Sequence, residues 1–155
     1  MEESEFRLRA NILMERYIPD WTLLISRGVR LMGSCEYRRK YIRISKYHIK
    51  ANEWQEIEDT MLHEIAHALT PDDAGHGRAW KQMCVKIGAR PNRVVSNETM
   101  IKIKEIAKPK YMYACPNCNH KRPAYRKLKR EMACSACCNK YNGGKYHADY
   151  KLVKQ

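Results

Sequence analysis

Cys115, Cys118, Cys134 and Cys137 stand as two C-x-x-C pairs separated by fifteen residues, and no other feature restricts the fold of this chain as strongly. The spacing is that of a tetrahedral four-thiolate zinc site. Two knuckle turns are expected to bring the pairs to the metal. The chain between them, with Tyr125 and Leu128, is expected to form hairpin strands over a core too small to fold unaided. Seven cysteines are an odd count, and the start MEESEFRLR is acidic and amphipathic where a secretory leader is basic and then apolar. Metal ligation in a reducing cytoplasm is therefore expected rather than disulfides. Cys138 in place of Cys137, and His120 or His147, are the alternative ligands. Cys35 and Cys84 read as small buried hydrophobes.

The chain's 155 residues suffice for one ordinary domain, or for a domain of ~100 residues with a small metal-stabilised module. Charge favours the second division. Residues 1–80 hold 12 Lys and Arg against 13 Asp and Glu, and residues 81–155 hold 18 against 4, so the two parts carry −1 and +14. The boundary is placed at Lys108-Pro109-Lys110, where a helical stretch with Ile101, Ile103 and Ile106 gives way to Tyr- and Cys-rich sequence. Domains are thus expected over 1–108 and 109–155. No apolar run of 18 residues exists, which argues against a membrane span.

The second segment carries Lys121, Arg122, Arg126, Lys127, Lys129 and Arg130 around Tyr125, with further cations at Lys140, Lys145, Lys151 and Lys154 and only Glu131 and Asp149 opposing them after Tyr111. Such density attracts phosphates by counterion release, and interleaved Tyr rings offer faces for unpaired bases. Single-stranded DNA is the expected partner, with RNA the other nucleic acid this chemistry admits.

In the first segment, residues 3–17 read as a helix with Phe6, Leu13 and Tyr17 on one stripe. Trp21–Ser26, Val29–Cys35 and Tyr41–Ser45 read as a small antiparallel meander. A long helix over 53–70 follows, with Asn52 as its N-cap, the repeat Trp54, Ile57, Met61, Ile65, Leu69, and Pro71 beyond its end. Another helix spans Arg78–Ile87 and closes at Gly88. The class is α+β.

Inside the long helix lies His63-Glu64-Ile65-Ala66-His67. Positions i and i+4 share a helix face, so both imidazoles reach one Zn²⁺. A carboxylate beside that metal takes the proton of an attacking water and delivers it to a leaving amine, which is peptide hydrolysis. A catalytic zinc needs a third ligand. His76 is favoured, because the glycines of Gly75-His76-Gly77 let the backbone bend back to the metal; Asp72, Asp73 and Glu98 are the other candidates. Trp80 reads as a core residue that orients His76. Arg78, His48 and Tyr47 are the candidates for stabilising an oxyanion.

Several of these patterns occur together in one order: Gly33-x-Cys35, Ile42-x-Ile44-Ser45, Thr60 to Leu69 around the two histidines, then Gly75-His76-Gly77-x-x-Trp80. In this the chain resembles the SprT-like/Spartan metalloprotease domain followed by a basic zinc ribbon of the bacterial or phage type, over about residues 5–150. The resemblance implies a zincin-like fold, a catalytic zinc on His63, His67 and His76, and Glu64 as catalytic base. It also implies a second, structural zinc on Cys115, Cys118, Cys134 and Cys137, and DNA-stimulated proteolysis of DNA-bound or DNA-crosslinked proteins, as in crosslink repair at the nucleoid. The competing class is a non-enzymatic nucleic-acid-binding or adaptor protein. A nuclease is a third, but it calls for two metals among several carboxylates.

Overall fold

The computed structural model describes residues 1–91 and 97–155, which form two compact units, Met1–Ile106 and Ala107–Gln155. The first contains α1 (Glu3–Tyr17), β1 (Thr22–Ser26), β2 (Gly33–Glu36), a 3-10 turn (Tyr37–Arg39), β3 (Tyr41–Ser45), α2 (Lys46–Ala51) and α3 (Trp54–Ala68). A second 3-10 turn (Asp72–Ala74), α4 (Arg78–Ile87) and α5 (Asn97–Ile106) complete it. The class is α+β, as expected. α1 buries Phe6, Ala10 and Met14, spaced by four, while Leu13 and Tyr17 of the expected stripe pack at its margin. These side chains meet Ile42 and Ile44 of β3, Ile57, Met61 and Ile65 of α3, and Trp80 and Cys84 of α4 in one core.

The three strands are not the antiparallel meander that their spacing suggests. β3 is central: β1 pairs with it in parallel, Leu23 opposite Ile42 and Ile25 opposite Ile44, and β2 pairs with it antiparallel on the other side. The reason lies in the loop 27–32. It buries Val29 and Met32, and the end of β3 ties it down: Ser45 donates its hydroxyl to the Gly28 carbonyl and its N–H to the Met32 carbonyl. The chain therefore crosses the end of β3 and descends on its far side, leaving the central place to the strand with two fully buried isoleucines. β2 is consequently an edge strand, packed on α3.

α2 was not expected. Its N-cap is Ser45, whose Oγ accepts from the Tyr47 N–H at 3.2 Å. Asn52, expected to cap the long helix, instead closes α2 by donating to the His48 carbonyl at 2.9 Å; α3 starts from Glu53 without a side-chain cap. α4 begins directly after Gly77 and ends at Gly88, as its sequence suggests.

The second unit holds β4 (Tyr111–Ala114), β5 (Lys121–Ala124), α6 (Ser135–Tyr141), a 3-10 turn (Ala148–Tyr150) and β6 (Val153–Lys154). Its antiparallel sheet has the order β5-β4-β6. Only the first Cys pair lies in a knuckle between strands. Cys134 is the N-cap residue of α6 and Cys137 lies in its first turns, so the second pair is presented by a helix start, where the backbone N–H groups favour thiolates. No helix among the described residues is long and apolar enough to cross a membrane.

The core of this unit consists of Tyr113, Leu152 and the buried Cys115, Cys134 and Cys137, with Tyr111, Ala124, Leu128, Met132 and Tyr150 around them. With thiols for so much of its interior, the unit has little apolar area to hold it when stripped of metal. A strong chelator is accordingly expected to collapse the amide NMR signals of 107–155 into the random-coil range. Because all three tryptophans (Trp21, Trp54, Trp80) precede it, tryptophan fluorescence reports the first unit separately. Native dispersion of 107–155 after chelation would contradict a metal-dependent fold.

Candidate active site and metal centres

α3 places His63 and His67 one turn apart, and the Gly75–Gly77 bend returns His76 to them. His63 Nε2 lies 3.1 Å from His76 Nε2, and His67 Nε2 lies 3.2 Å from the same atom. A tetrahedral ion with Zn–N bonds of ~2.0–2.1 Å spaces its nitrogens by about 3.3 Å, so the three imidazoles fit one zinc. Asp72, Asp73 and Glu98, the acidic alternatives, are exposed and stand outside this cluster. The bend needs its glycines. Gly75 has φ 50° and ψ −128°, a region closed to residues with a Cβ, and a Cβ on Gly77 would stand 2.9 Å from the Ala74 carbonyl oxygen.

Trp80, in the first turn of α4, is fully buried beneath the three histidines. Its ring centroid lies 4.7, 5.3 and 4.6 Å from those of His63, His67 and His76. Its indole N–H has no hydrogen-bond partner among the described residues, so packing alone holds the ring. The end of α3 is tied from outside: the Tyr37 hydroxyl donates to the His67 carbonyl at 2.9 Å, and Thr70 Oγ1 donates to the carbonyls of Ala66 and His67. Carbonyls left over at a helix end are thereby satisfied, and His67 is anchored with them.

Glu64 faces the sheet and is buried. It lies so close to β2 that a Cβ built on Gly33 would come within 2.6 Å of its Oε1 and 2.8 Å of its Cγ. Burial pushes the carboxyl up to about 8, while a hydrogen bond from the Cys35 backbone N–H works in the opposite direction. Desolvation together with the neighbouring imidazoles holds His67 down at about 4, which keeps it in the neutral form that ligates metal. The contact with Gly33 was not legible in the sequence, although an isolated glycine in a strand does signal close approach of another group.

A cleft of about 730 Å³ opens beside this cluster. Arg30, Leu31, Met32 and Gly33 line it on the β2 side, Thr60, His63, Glu64 and His67 along α3, and Thr99, Met100 and Lys102 from α5. Of the three oxyanion candidates, Arg78 and Tyr47 do not line the cleft, and His48 does. His48 is already committed. Asn52 Nδ2 donates to both the His48 carbonyl and His48 Nδ1, each at 2.9 Å, which leaves the ring proton on Nε2 to donate to Thr60 Oγ1 at 2.9 Å; Thr60 in turn donates to the Glu56 carbonyl.

Burial holds His48 neutral, its pKa pushed down to about 4 from 6.5. Between those values the folded protein binds fewer protons here than the unfolded chain, so the stability contributed is whole above pH 6.5 and is lost as pH falls towards 4. Urea titrations should show wild type losing about 2 kcal/mol more than His48→Gln between pH 6.5 and 5. Identical losses would contradict it.

In the second unit, Cys115 Sγ lies 3.8 Å from Cys137 Sγ, and Cys118 Sγ lies 3.6 Å from Cys134 Sγ; all four sulfurs fall within 4.8 Å of one another. A zinc with Zn–S bonds of ~2.3 Å requires about 3.8 Å between sulfurs, so this set also fits. Asn117 Nδ2 donates to Cys137 Sγ at 3.4 Å. Cys138, His120 and His147 are not in the cluster. Of the expected nucleic-acid contacts, Lys121, Arg126, Lys127, Lys129 and Arg130 are exposed, and Arg122 and Tyr125 are half-buried.

No curated protein and no solved structure matches the chain closely enough to count as a relative. The model of the SprT-like family does, over residues 5–104. That span runs from α1 into α5 and takes in the three histidines, Glu64 and the edge strand against which Glu64 packs. Over this span, about two thirds of its length, the chain belongs to the SprT-like family of metalloprotease-like domains.

Proposed function

We propose that the chain is a zinc-dependent endopeptidase, stimulated by DNA and acting on proteins bound or crosslinked to it. The observation that carries the reading is the convergence of His63, His67 and His76, with nitrogens 3.1 and 3.2 Å apart, beside the buried carboxylate of Glu64. A zinc held there supplies Lewis-acid polarisation of the scissile carbonyl and makes water more acidic. Glu64 takes the proton of the attacking water as its oxygen bonds to the carbonyl carbon, and passes it to the amide nitrogen as the C–N bond breaks. Among the described residues no strand pairs with the outer edge of β2. Apart from the Cys35 N–H, which donates to Glu64, such an edge favours an extended polypeptide as substrate, because the N–H and C=O groups of an edge strand accept an added strand.

The ribbon supports the DNA part of the reading. Leu128 is half-buried in its core, and its N–H donates to the Tyr113 hydroxyl at 3.2 Å. The loop is pinned at that point, with Arg126, Lys127, Lys129 and Arg130 exposed on either side. In this reading the protein works in the cytoplasm, on single-stranded DNA and the proteins it holds.

Metal counting tests the proposal. Wild type should bind two zinc ions per chain, one of them stripped first by mild chelation because its site is left open for substrate. His76→Ala should retain one. A single tightly held zinc in wild type would favour the adaptor reading instead.

A further inference from the structure

The ribbon carries a second feature that its zinc site and basic loop do not account for. Tyr141 and Tyr146 are large aromatic residues left 56% and 51% exposed, in a unit with few apolar side chains to spare. Tyr141 belongs to a group of rings, and Tyr146 adjoins His147 of that group in the chain. Tyr141 lies 5.9 Å from Tyr150 between centroids, and His147 lies 5.4 Å from Tyr150 on a similar tilt. Tyr150 packs at the edge of the core and fixes the other two. Lys140 Nζ stands 4.9 Å from the centre of the Tyr141 ring, and Lys145 is exposed nearby in the chain.

Tyr146 and the basic loop are joined by Glu131. It follows Arg130 directly, accepts a hydrogen bond from the Tyr146 hydroxyl at 3.3 Å and pairs with Lys151. Tyr146 is thus fixed next to the end of the cationic run, and Asp149 beside His147 is the other carboxylate at this face. Cations on one flank and exposed ring faces on the other form the arrangement a single strand requires, with phosphates on the first and unstacked bases on the second.

We propose that Tyr141 and His147, grouped around Tyr150, together with Tyr146 held by Glu131, are the base-stacking half of a single-stranded nucleic-acid site whose phosphate-binding half is the loop Arg126–Arg130. The inference rests on the ribbon being the nucleic-acid-binding unit and adds where, and by which chemistry, bases are held. Tyr125, half-buried on the far end of that loop, is then not the principal stacking residue.

The test uses the full-length, zinc-loaded protein and two fluorescent probes of equal length and charge: an oligothymidylate and an abasic oligonucleotide. Wild type should bind both, with a steep salt dependence, and prefer the probe with bases. Tyr141→Ala should weaken oligothymidylate binding about fivefold to a hundredfold and leave the abasic probe and the salt slope unchanged. Tyr141→Phe, which keeps the ring, should bind like wild type. His147→Ala, at an exposed site, provides a second variant if Tyr141→Ala loses its ribbon zinc. Equal losses on both probes, or no loss in either variant, would overturn the stacking site while leaving the ribbon's role standing. Wild type that binds neither probe would overturn both.

Discussion

Glu64→Gln should retain both zinc ions and lose cleavage by about a thousandfold. The amide has the shape and the hydrogen-bonding reach of the carboxylate but cannot take a proton from water, and general-base catalysis accounts for about 10²–10⁴ in rate. The proposed ligands of that metal are His63, His67 and His76, none of which the substitution touches. The variant should also be more stable than wild type above pH 8 in the metal-free state. A buried carboxyl with its pKa raised to about 8 weakens the folded state progressively as pH climbs from 4.5 towards 8, whereas a glutamine has no charge to bury. Cleavage by the variant at the wild-type rate would remove Glu64 from the mechanism.

Gly33→Ala should produce the second-largest loss. The added methyl carbon would stand 2.6 Å from Glu64 Oε1, 2.8 Å from Cγ and 3.0 Å from Cδ, closer than a Cβ packs against neighbouring atoms. Glu64 lines the cleft, so either the carboxylate leaves its position for that space or β2 separates from α3. Misplacing a catalytic group by about 1 Å costs on the order of a hundredfold, and overpacking of this kind costs roughly 1–3 kcal/mol of stability. Gly28→Ala is the matched control. Its methyl would meet Ser26 Oγ at 3.4 Å, an ordinary contact, and both activity and stability should change little. If kcat/KM falls a hundredfold for Gly33→Ala while zinc content stays at the wild-type value, Gly33 acts through Glu64. Unchanged kcat/KM would show that the carboxylate has another place from which to work.

These two substitutions mark the border between what the sequence discloses and what only the fold does. The role of α3 is legible because its signals are local: Ile57, Met61 and Ile65 recur at helical spacing, and His63 and His67 share a face by that same spacing. His76 is legible from its flanking glycines, which have no other evident use. The closeness of Gly33 to Glu64 is not, because it joins positions 31 residues apart through a sheet whose strand order the sequence leaves open. Alternation and turn residues mark β1, β2 and β3 as strands, yet the same marks suit a meander and the observed mixed sheet. What decides between them is a set of tertiary contacts, the burial of Val29 and Met32 and the grip of Ser45 on the loop 27–32. α2 was hidden for a related reason. Its six residues are too few to show a period, and Asn52 closes one helix where its position in the sequence suggests that it opens the next.

The ribbon divides in the same way. Cysteine spacing discloses the four thiols that the fold brings together, because tetrahedral geometry tolerates few alternatives. It does not disclose that the second pair opens α6, since a knuckle and a helix start both bring thiols two residues apart to one ion. Nor does it separate exposed tyrosines from buried ones: Tyr113 lies in the core and Tyr141 lies outside it, in segments of similar composition.

The central claim, a zinc peptidase directed to DNA-held protein, is tested most directly by incubating the zinc-loaded protein with a basic DNA-binding protein, with and without single-stranded DNA, and reading new peptide termini by mass spectrometry. The account predicts new termini with wild type when DNA is present, few without it, and none with Glu64→Gln. Intact substrate under every condition, from protein carrying both zinc ions and bound to the DNA, would contradict it.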